Sequence, residues 1–265
     1  MKSITSRDNP LYKELKLLAG SSQARRKAGR TLLDGIHLCE SFLQFSGAPA
    51  ICVVGEGVLQ HHEVLPLVAQ CESDGVSCIS LPDALFHALS QVENGVDILF
   101  VVDTPKPRSA AVLERNAVLL DNLQDPGNMG SILRSAAAAG IEQIFCSPGC
   151  VFPWSPKVLR AGMGAHFMLE IFENADLADL MRNTGLQVLA TSSHAAQTVY
   201  QLDLTEPTAW LFGHEGQGVE AQLMALATRE VAIPHKGKIE SLNVAASAAV
   251  CFFEQLRQQL NGKEL

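Results

Sequence analysis

Five polar residues in three short segments carry the chemistry open to this chain: Asn128 and Arg134, Glu215, and Ser241 with Asn243. The first segment reads Asp125-Pro126-Gly127-Asn128-Met129-Gly130-Ser131-Ile132-Leu133-Arg134. The second is Leu211-Phe212-Gly213-His214-Glu215-Gly216-Gln217-Gly218-Val219, and the third runs from Ile233-Pro234 to Ser241-Leu242-Asn243-Val244. An arginine is almost never neutral, so Arg134 suits gripping a phosphate and stabilising negative charge that develops on an oxygen. Asn128 suits fixing its own loop and Arg134, or serves only as a turn residue. Glu215 orients Asn128 or Arg134, or complements a helix N-terminus. Ser241 and Asn243 hold a ligand or cap the helix that follows. Glycines around Glu215 leave the backbone open to close approach. Neither G-x-G-x-x-G after a strand nor G-x-x-x-x-G-K-[ST] occurs, which argues against a dinucleotide or nucleoside-triphosphate site.

Each segment must be held by a strand before it and a helix after it. Val231-Ala232-Ile233 is a short apolar run, and Pro234 stops a ladder because it has no N–H. Ser241 is placed to cap a helix in which Ala245, Ala249, Phe252, Leu256 and Leu260 recur at helical spacing. Ala117-Val118-Leu119-Leu120 is a strand, Asp125 to Gly130 a loop, and Ser131 to Ala139 a helix stopped by Gly140. Further strands are expected at 141–146, 166–171, 186–191 and 209–212, with helices from Ser155-Pro156, over 175–182 and over 220–228. Continuous apolar strands between helices indicate a parallel sheet covered on both faces. Such sheets bind ligands beyond the carboxyl ends of their strands, where all three segments fall.

Together, Asn128/Arg134, Gly213-x-Glu215-Gly216-x-Gly218 and Ile233-Pro234 followed by Ser241-Leu242-Asn243-Val244 resemble the three motifs of the SpoU-type (TrmH-like, SPOUT superfamily) RNA ribose 2′-O-methyltransferases. The resemblance spans roughly Ala117 to Leu260. It implies an α/β catalytic domain over 106–265, tied in a deep C-terminal trefoil knot that ordinary connection rules do not yield. It implies transfer of a methyl group from S-adenosylmethionine, without metal, to a ribose 2′-hydroxyl of a structured RNA; the family includes ribosomal and transfer RNA enzymes, and the domain ahead of the catalytic one tips the balance slightly to ribosomal RNA. Leu211, Gly213, Glu215, Gly218, Ile233, Leu242 and Asn243 correspond to donor-binding positions, and Asn128, Arg134, Glu215, Ser241 and Asn243 to catalytic ones. For Arg134 a phosphate or alkoxide clamp is favoured over a general base, which would need a heavily depressed pKa. His214 and His235 flank the site at variable positions; His235 stands where Met is common, and Ala245 where Ser is. The family is dimeric, and the long Ala- and Phe-bearing 242–260 helix points to a two-fold homodimer through that helix. The alternatives are a non-catalytic RNA-binding protein of the same fold, against which the five polar residues together argue, and a base methyltransferase with other motifs.

The first half, 1–105, reads as a small α/β domain. Strands are expected at 31–33, 51–54, 76–79 and 97–102, with helices from Asn9-Pro10, over 36–45, over 59–71 and over 81–89. Ile4-Thr5-Ser6-x-x-Asn9-Pro10 and Leu33-Asp34-Gly35 resemble the ribosomal-protein-like RNA-binding domain that often precedes the catalytic one. The whole chain carries a formal charge of −8. Over its first 30 residues, however, eight basic side chains face two acidic ones, a local +6 that leaves −14 on the remainder. A basic arm on an acidic body is a footprint of phosphate contact, here Arg7, Lys13, Arg25, Arg26, Lys27 and Arg30. Thr104-Pro105-Lys106-Pro107-Arg108-Ser109 is the expected linker. His61-His62 is read inside a helix, where adjacent histidines point apart, so no metal pair is expected. Seven scattered cysteines without a C-x-x-C pair fit reduced core thiols, and no apolar h-region or membrane span is found. The setting expected is cytoplasmic.

Overall fold

The computed structural model describes residues 1–92, 95–106 and 111–261. Pro107, Arg108 and Ser109 of the expected linker lie outside them. The chain divides into two compact units: Met1–Pro105 with Trp154–Phe167, and Lys106–Pro153 with Met168–Leu265.

The first unit contains β1 (Lys2–Ser3), α1 (Pro10–Gly20), α2 (Ser22–Ala28), β2 (Arg30–Asp34), α3 (Ile36–Phe45), β3 (Ile51–Gly55), α4 (Val64–Ser73), β4 (Ser77–Leu81), α5 (Asp83–Phe86) and β5 (Ile98–Asp103). Its sheet runs β1-β4-β3-β5-β2, with β5 antiparallel to both neighbours and the remaining pairs parallel. Asn9 caps α1 through its side chain, with Pro10 in the first turn. Tyr12, Leu15, Leu18, Leu32, Val53, Ile79, Phe86 and Val101 close over one another as its core. Arg25-Arg26-Lys27 of the basic arm lie in a helix, α2. Ser21 caps α2, and Gly29 at φ 62° ends it in the left-handed region. The helix expected from Leu59 starts only at Val64, so His61 and His62 precede it in a turn.

Trp154–Phe167 also belongs to this unit. The segment includes α7 (Pro156–Gly162). Thr31 Oγ1 donates to the Trp154 carbonyl at 2.6 Å, and Phe167 packs edge-on against Phe42 at 5.3 Å. His166 is fully buried, 5.3 Å from the Trp154 ring. It lies within a 3-10 turn, Ala165–Met168, not in the strand expected from 166. The strand is confined to Glu170–Phe172, after the 3-10 turn ends at Met168.

The second unit is a parallel sheet of β6 (Ala117–Leu120), β7 (Gln143–Cys146), β8 (Glu170–Phe172), β9 (Gln187–Thr191), β10 (Thr208–Phe212) and β11 (Arg229–Val231), ordered β11-β9-β10-β6-β7-β8. Its helices are α6 (Pro126–Ala138), α8 (Leu177–Arg182), α9 (Ala221–Leu226) and α10 (Val244–Asn261). Buried polar groups fix α10 to the sheet. Trp210 Nε1 donates to Gln255 Oε1 at 2.7 Å, Gln255 Nε2 donates to Asn116 Oδ1 at 2.9 Å, and the same Asn116 oxygen accepts the Thr208 N–H at 3.0 Å. Phe252 meets Phe212 edge-on at 5.7 Å. An orphaned amide here would cost more than a made one contributes, so this relay sets α10 against the strands in one register. All seven cysteines are free and buried. No helix among the described residues is long and apolar enough to cross a membrane.

Candidate active site

The first segment is helical earlier than expected. Asp125-Pro126 is itself a helix start, so α6 begins at Pro126 and the 126–130 stretch is its first turn rather than a loop. Asp125 Oδ1 accepts the Asn128 N–H at 2.7 Å. In the third segment the cap of α10 is Asn243, not Ser241: Asn243 Oδ1 accepts the N–H groups of Ala245 at 2.9 Å and Ala246 at 3.2 Å. Ser241 lies two residues further out and lines a cavity instead.

These shifts join the three segments. Asn243 Nδ2 donates to Asn128 Oδ1 at 2.9 Å. Asn128 Nδ2 donates to Glu215 Oε1 at 3.1 Å. Glu215 also accepts the N–H groups of Asp125 at 2.9 Å and Gln124 at 3.2 Å. Asn243, Asn128 and Glu215 thus form one relay from the N-terminus of α10, through the first turn of α6, to the loop after β10. Partial burial raises the Glu215 carboxyl, but the N–H bonds from Asp125, Asn128 and Gln124 outweigh it and hold it below its ordinary 4.5. A carboxylate depressed in this way favours the folded site above pH 4.5, and that contribution fades as pH falls through the lowered value.

The loop after β10 is a tight hairpin. His214 and Gly218 exchange backbone bonds at 2.9 and 2.8 Å, and His214 Nδ1 accepts the Gly216 N–H at 2.9 Å and the Gln217 N–H at 3.2 Å. A Cβ on residue 213 would sit 2.2 Å from Gly218 and Val219 backbone atoms, and Gly218 has φ 74°. At 213 a side chain would force the backbone to move, whereas at 218 the space is open and it is the left-handed φ that favours glycine.

Beside this hairpin lies a cavity of about 400 Å³, within the usual range for a small-molecule site. Gly213, Glu215, Gly218, Ile233, Ser241 and Leu242 line it, as do His214 and His235. Two predicted donor-binding residues do not: Leu211 is fully buried within β10, and Asn243 reaches the site through the relay. Arg134 is exposed on α6, on a face with Gly127, Ser131 and Ala138, and makes no hydrogen bond or ion pair among the described residues. The wall that sequence reasoning missed is Thr191-Ser192-Ser193-His194, with Met224 and Ser247. The available signal was the parallel sheet itself. β9 neighbours β10, so its carboxyl end had to open on the same crevice.

One proposed RNA contact is corrected. Arg25 is only 6% exposed, and its guanidinium donates to the Leu18 and Ala19 carbonyls at the end of α1. It closes a helix C-terminus and is withdrawn from solvent. Arg30 is half-buried, 2.9 Å from Asp103, and Lys13 pairs with Asp8 at 2.9 Å. Arg7, Arg26 and Lys27 are exposed.

Fold and site together define an α/β protein with a cavity of small-molecule size at the carboxyl edge of a parallel sheet. Residues 115–253 match the SpoU rRNA Methylase family, to which this chain belongs. The chain is similar to an uncharacterized tRNA/rRNA methyltransferase of Synechocystis, 37% identical, over 97% of this chain and 94% of the relative. It is 29% identical to the 23S rRNA (guanosine(2553)-2′-O)-methyltransferase of Bacillus subtilis, over 96% and 98% of the two chains. Among solved structures, an AdoMet-bound rRNA methyltransferase from Sinorhizobium meliloti superposes with TM-score 0.84 at 25% identity, covering 97% of each chain.

Proposed function

We propose that this protein transfers a methyl group from S-adenosylmethionine to a ribose 2′-hydroxyl of ribosomal RNA. The observation that carries the reading is the Asn243–Asn128–Glu215 relay, which fastens all three motif segments around one cavity. The activities named for the Bacillus and Sinorhizobium relatives agree with it. The cavity suits the donor. Met224, Val231, Ile233, Leu242 and Val244 offer an apolar wall to a purine, while Ser192, Ser193, Glu215 and Ser241 offer polar groups to the ribose, the sulfonium and the amino-acid end. Bound there, S-adenosylmethionine would supply an electrophilic methyl group.

The chain's own residues do the rest. Glu215 and Asn128 hold the α6 turn and the hairpin in register. Arg134, with small neighbours on its face of α6, is open to an RNA phosphate and to the alkoxide charge that develops on the attacking oxygen. The backbone of the 211–218 and 233–242 segments holds the donor, with no metal. Calorimetry in EDTA is expected to show donor binding, and no heat at millimolar donor would refute the assignment.

The finer architecture belongs to the same proposal. The unit of Lys106–Pro153 with Met168–Leu265 is catalytic and its C-terminal segment is threaded as a trefoil knot. The unit of Met1–Pro105 with Trp154–Phe167 binds RNA, and the protein is cytoplasmic, in keeping with its seven free thiols. Exposed Arg26 and Lys27 contact phosphates. Replacing both with Ala is expected to weaken RNA binding and reduce the salt slope by about 1.5, leaving donor affinity unchanged. An unaltered slope would make the arm a solvated face.

A homodimer packs through α10, where Ala246, Phe253 and Leu260 are exposed at seven-residue spacing; Phe253 and Leu260 are 47% and 49% exposed. The basic arm of one subunit then serves the pocket of the other. Light scattering should give a dimer that Phe253→Asp splits; a monomer mass for the unaltered protein at micromolar concentration would contradict this.

A further inference from the structure

We propose that the turn before α4 binds a divalent transition metal, zinc in particular, through His61, His62 and Glu63. The sequence argued against a metal pair because adjacent histidines diverge on a helix. Here they precede the helix, and the turn brings their rings together at 4.7 Å with a 30° tilt. One donor atom from each of the three residues lies within 4.8 Å of the other two. His61 Nδ1, 3.9 Å from Glu63 Oε2, accepts the Glu63 N–H at 3.3 Å, a bond that coordination through that nitrogen would replace. No other trio of His, Cys, Asp or Glu among the described residues meets in this way.

Two imidazoles and one carboxylate suit zinc and its borderline neighbours; calcium and magnesium take oxygen ligands throughout. Tetrahedral bonds of about 2.0–2.2 Å place donors about 3.3 Å apart, so these atoms need to close by at most about 1.5 Å. His62 and Glu63 are exposed and His61 is partly so, which leaves their side chains room to turn. A position stays open for water.

The metal would also stiffen a weak place. Glu63 stands at the N-cap of α4 without a side-chain cap bond, and the first N–H groups of that helix, Val64 and Leu65, both go to the His61 carbonyl at 3.0 Å. Tying residues 61–63 to one ion fixes the carbonyl on which that helix start depends. The site uses only residues of the first unit and takes no part in the proposed methyl transfer.

The test is titration of the full-length protein, without a histidine tag, with Co²⁺ followed by competition with Zn²⁺. One equivalent of Co²⁺ is expected to bind at micromolar concentration, with d–d absorption and no thiolate charge-transfer band, and Zn²⁺ should displace it and raise the melting temperature. His62→Ala and Glu63→Gln should each weaken binding by roughly tenfold or more, as expected when one of three ligands is lost. Melting without metal checks that both variants fold. Binding only at millimolar metal, thiolate bands, or one-equivalent binding unchanged in His61→Ala/His62→Ala would each overturn the proposal.

Discussion

Arg134→Ala is expected to cut the rate of methyl transfer by about 10²–10³ while leaving donor binding and the fold nearly intact. Arg134 is exposed on α6, outside the cavity lining, and no other described group depends on it. Its removal therefore leaves no buried partner stranded. The loss would fall on the acceptor side: a fixed charge that grips phosphate and stabilises developing alkoxide disappears, and any help with the departing proton disappears with it. Arg134→Lys should recover little, because an ammonium lacks the planar fork that grips two oxygens. Single-turnover methylation, with donor affinity and thermal melting as controls, separates these effects. A variant that keeps more than about a tenth of the normal rate, less than the usual cost of one such contact, would move the chemistry to Asn128, Glu215 or a substrate phosphate.

Glu215→Ala is expected to damage the other half of the site. It removes the acceptor of three hydrogen bonds, from Gln124 N, Asp125 N and Asn128 Nδ2, and leaves the α6 turn unfastened from the hairpin that walls the cavity. Hydrogen bonds to a charged group contribute about 1.5–3 kcal/mol each, and partial exposure puts the loss at the low end, so donor affinity should fall about ten- to hundredfold. Glu215→Gln keeps a carbonyl acceptor and should fall between. Calorimetric donor titration is the measurement; unchanged affinity in Glu215→Ala would mean that the relay does not hold the cavity in shape.

Much of this arrangement was legible before any coordinates. The continuous apolar runs at 117–120 and 209–212 required a doubly covered parallel sheet, and the segments after them had to meet at its carboxyl edge. The errors have local causes. Asp125-Pro126 carries the same start signal as Asn9-Pro10, yet its two glycines suggested a loop. Ser241 and Asn243 are both good caps, and only the geometry of the first turn of α10 selects Asn243. Arg25 belongs by charge to the basic arm, but tertiary packing turns it onto the carbonyls that end α1. The placement of Trp154–Phe167 in the first unit has no signature in periodicity, because the pairing of Thr31 with the Trp154 carbonyl spans 123 residues. The Ser192–His194 wall was missed because no glycine or charge marks it.

The central claim is that this chain methylates ribose hydroxyls of ribosomal RNA. The most direct measurement incubates the purified protein with isotopically labelled S-adenosylmethionine and ribosomal RNA from a strain lacking the gene, digests the RNA to nucleosides and identifies the labelled product by mass spectrometry. Label is expected in a single 2′-O-methylated nucleoside and is expected to be absent with Arg134→Ala. Label on a base, or no label in a protein shown to bind the donor, would contradict it.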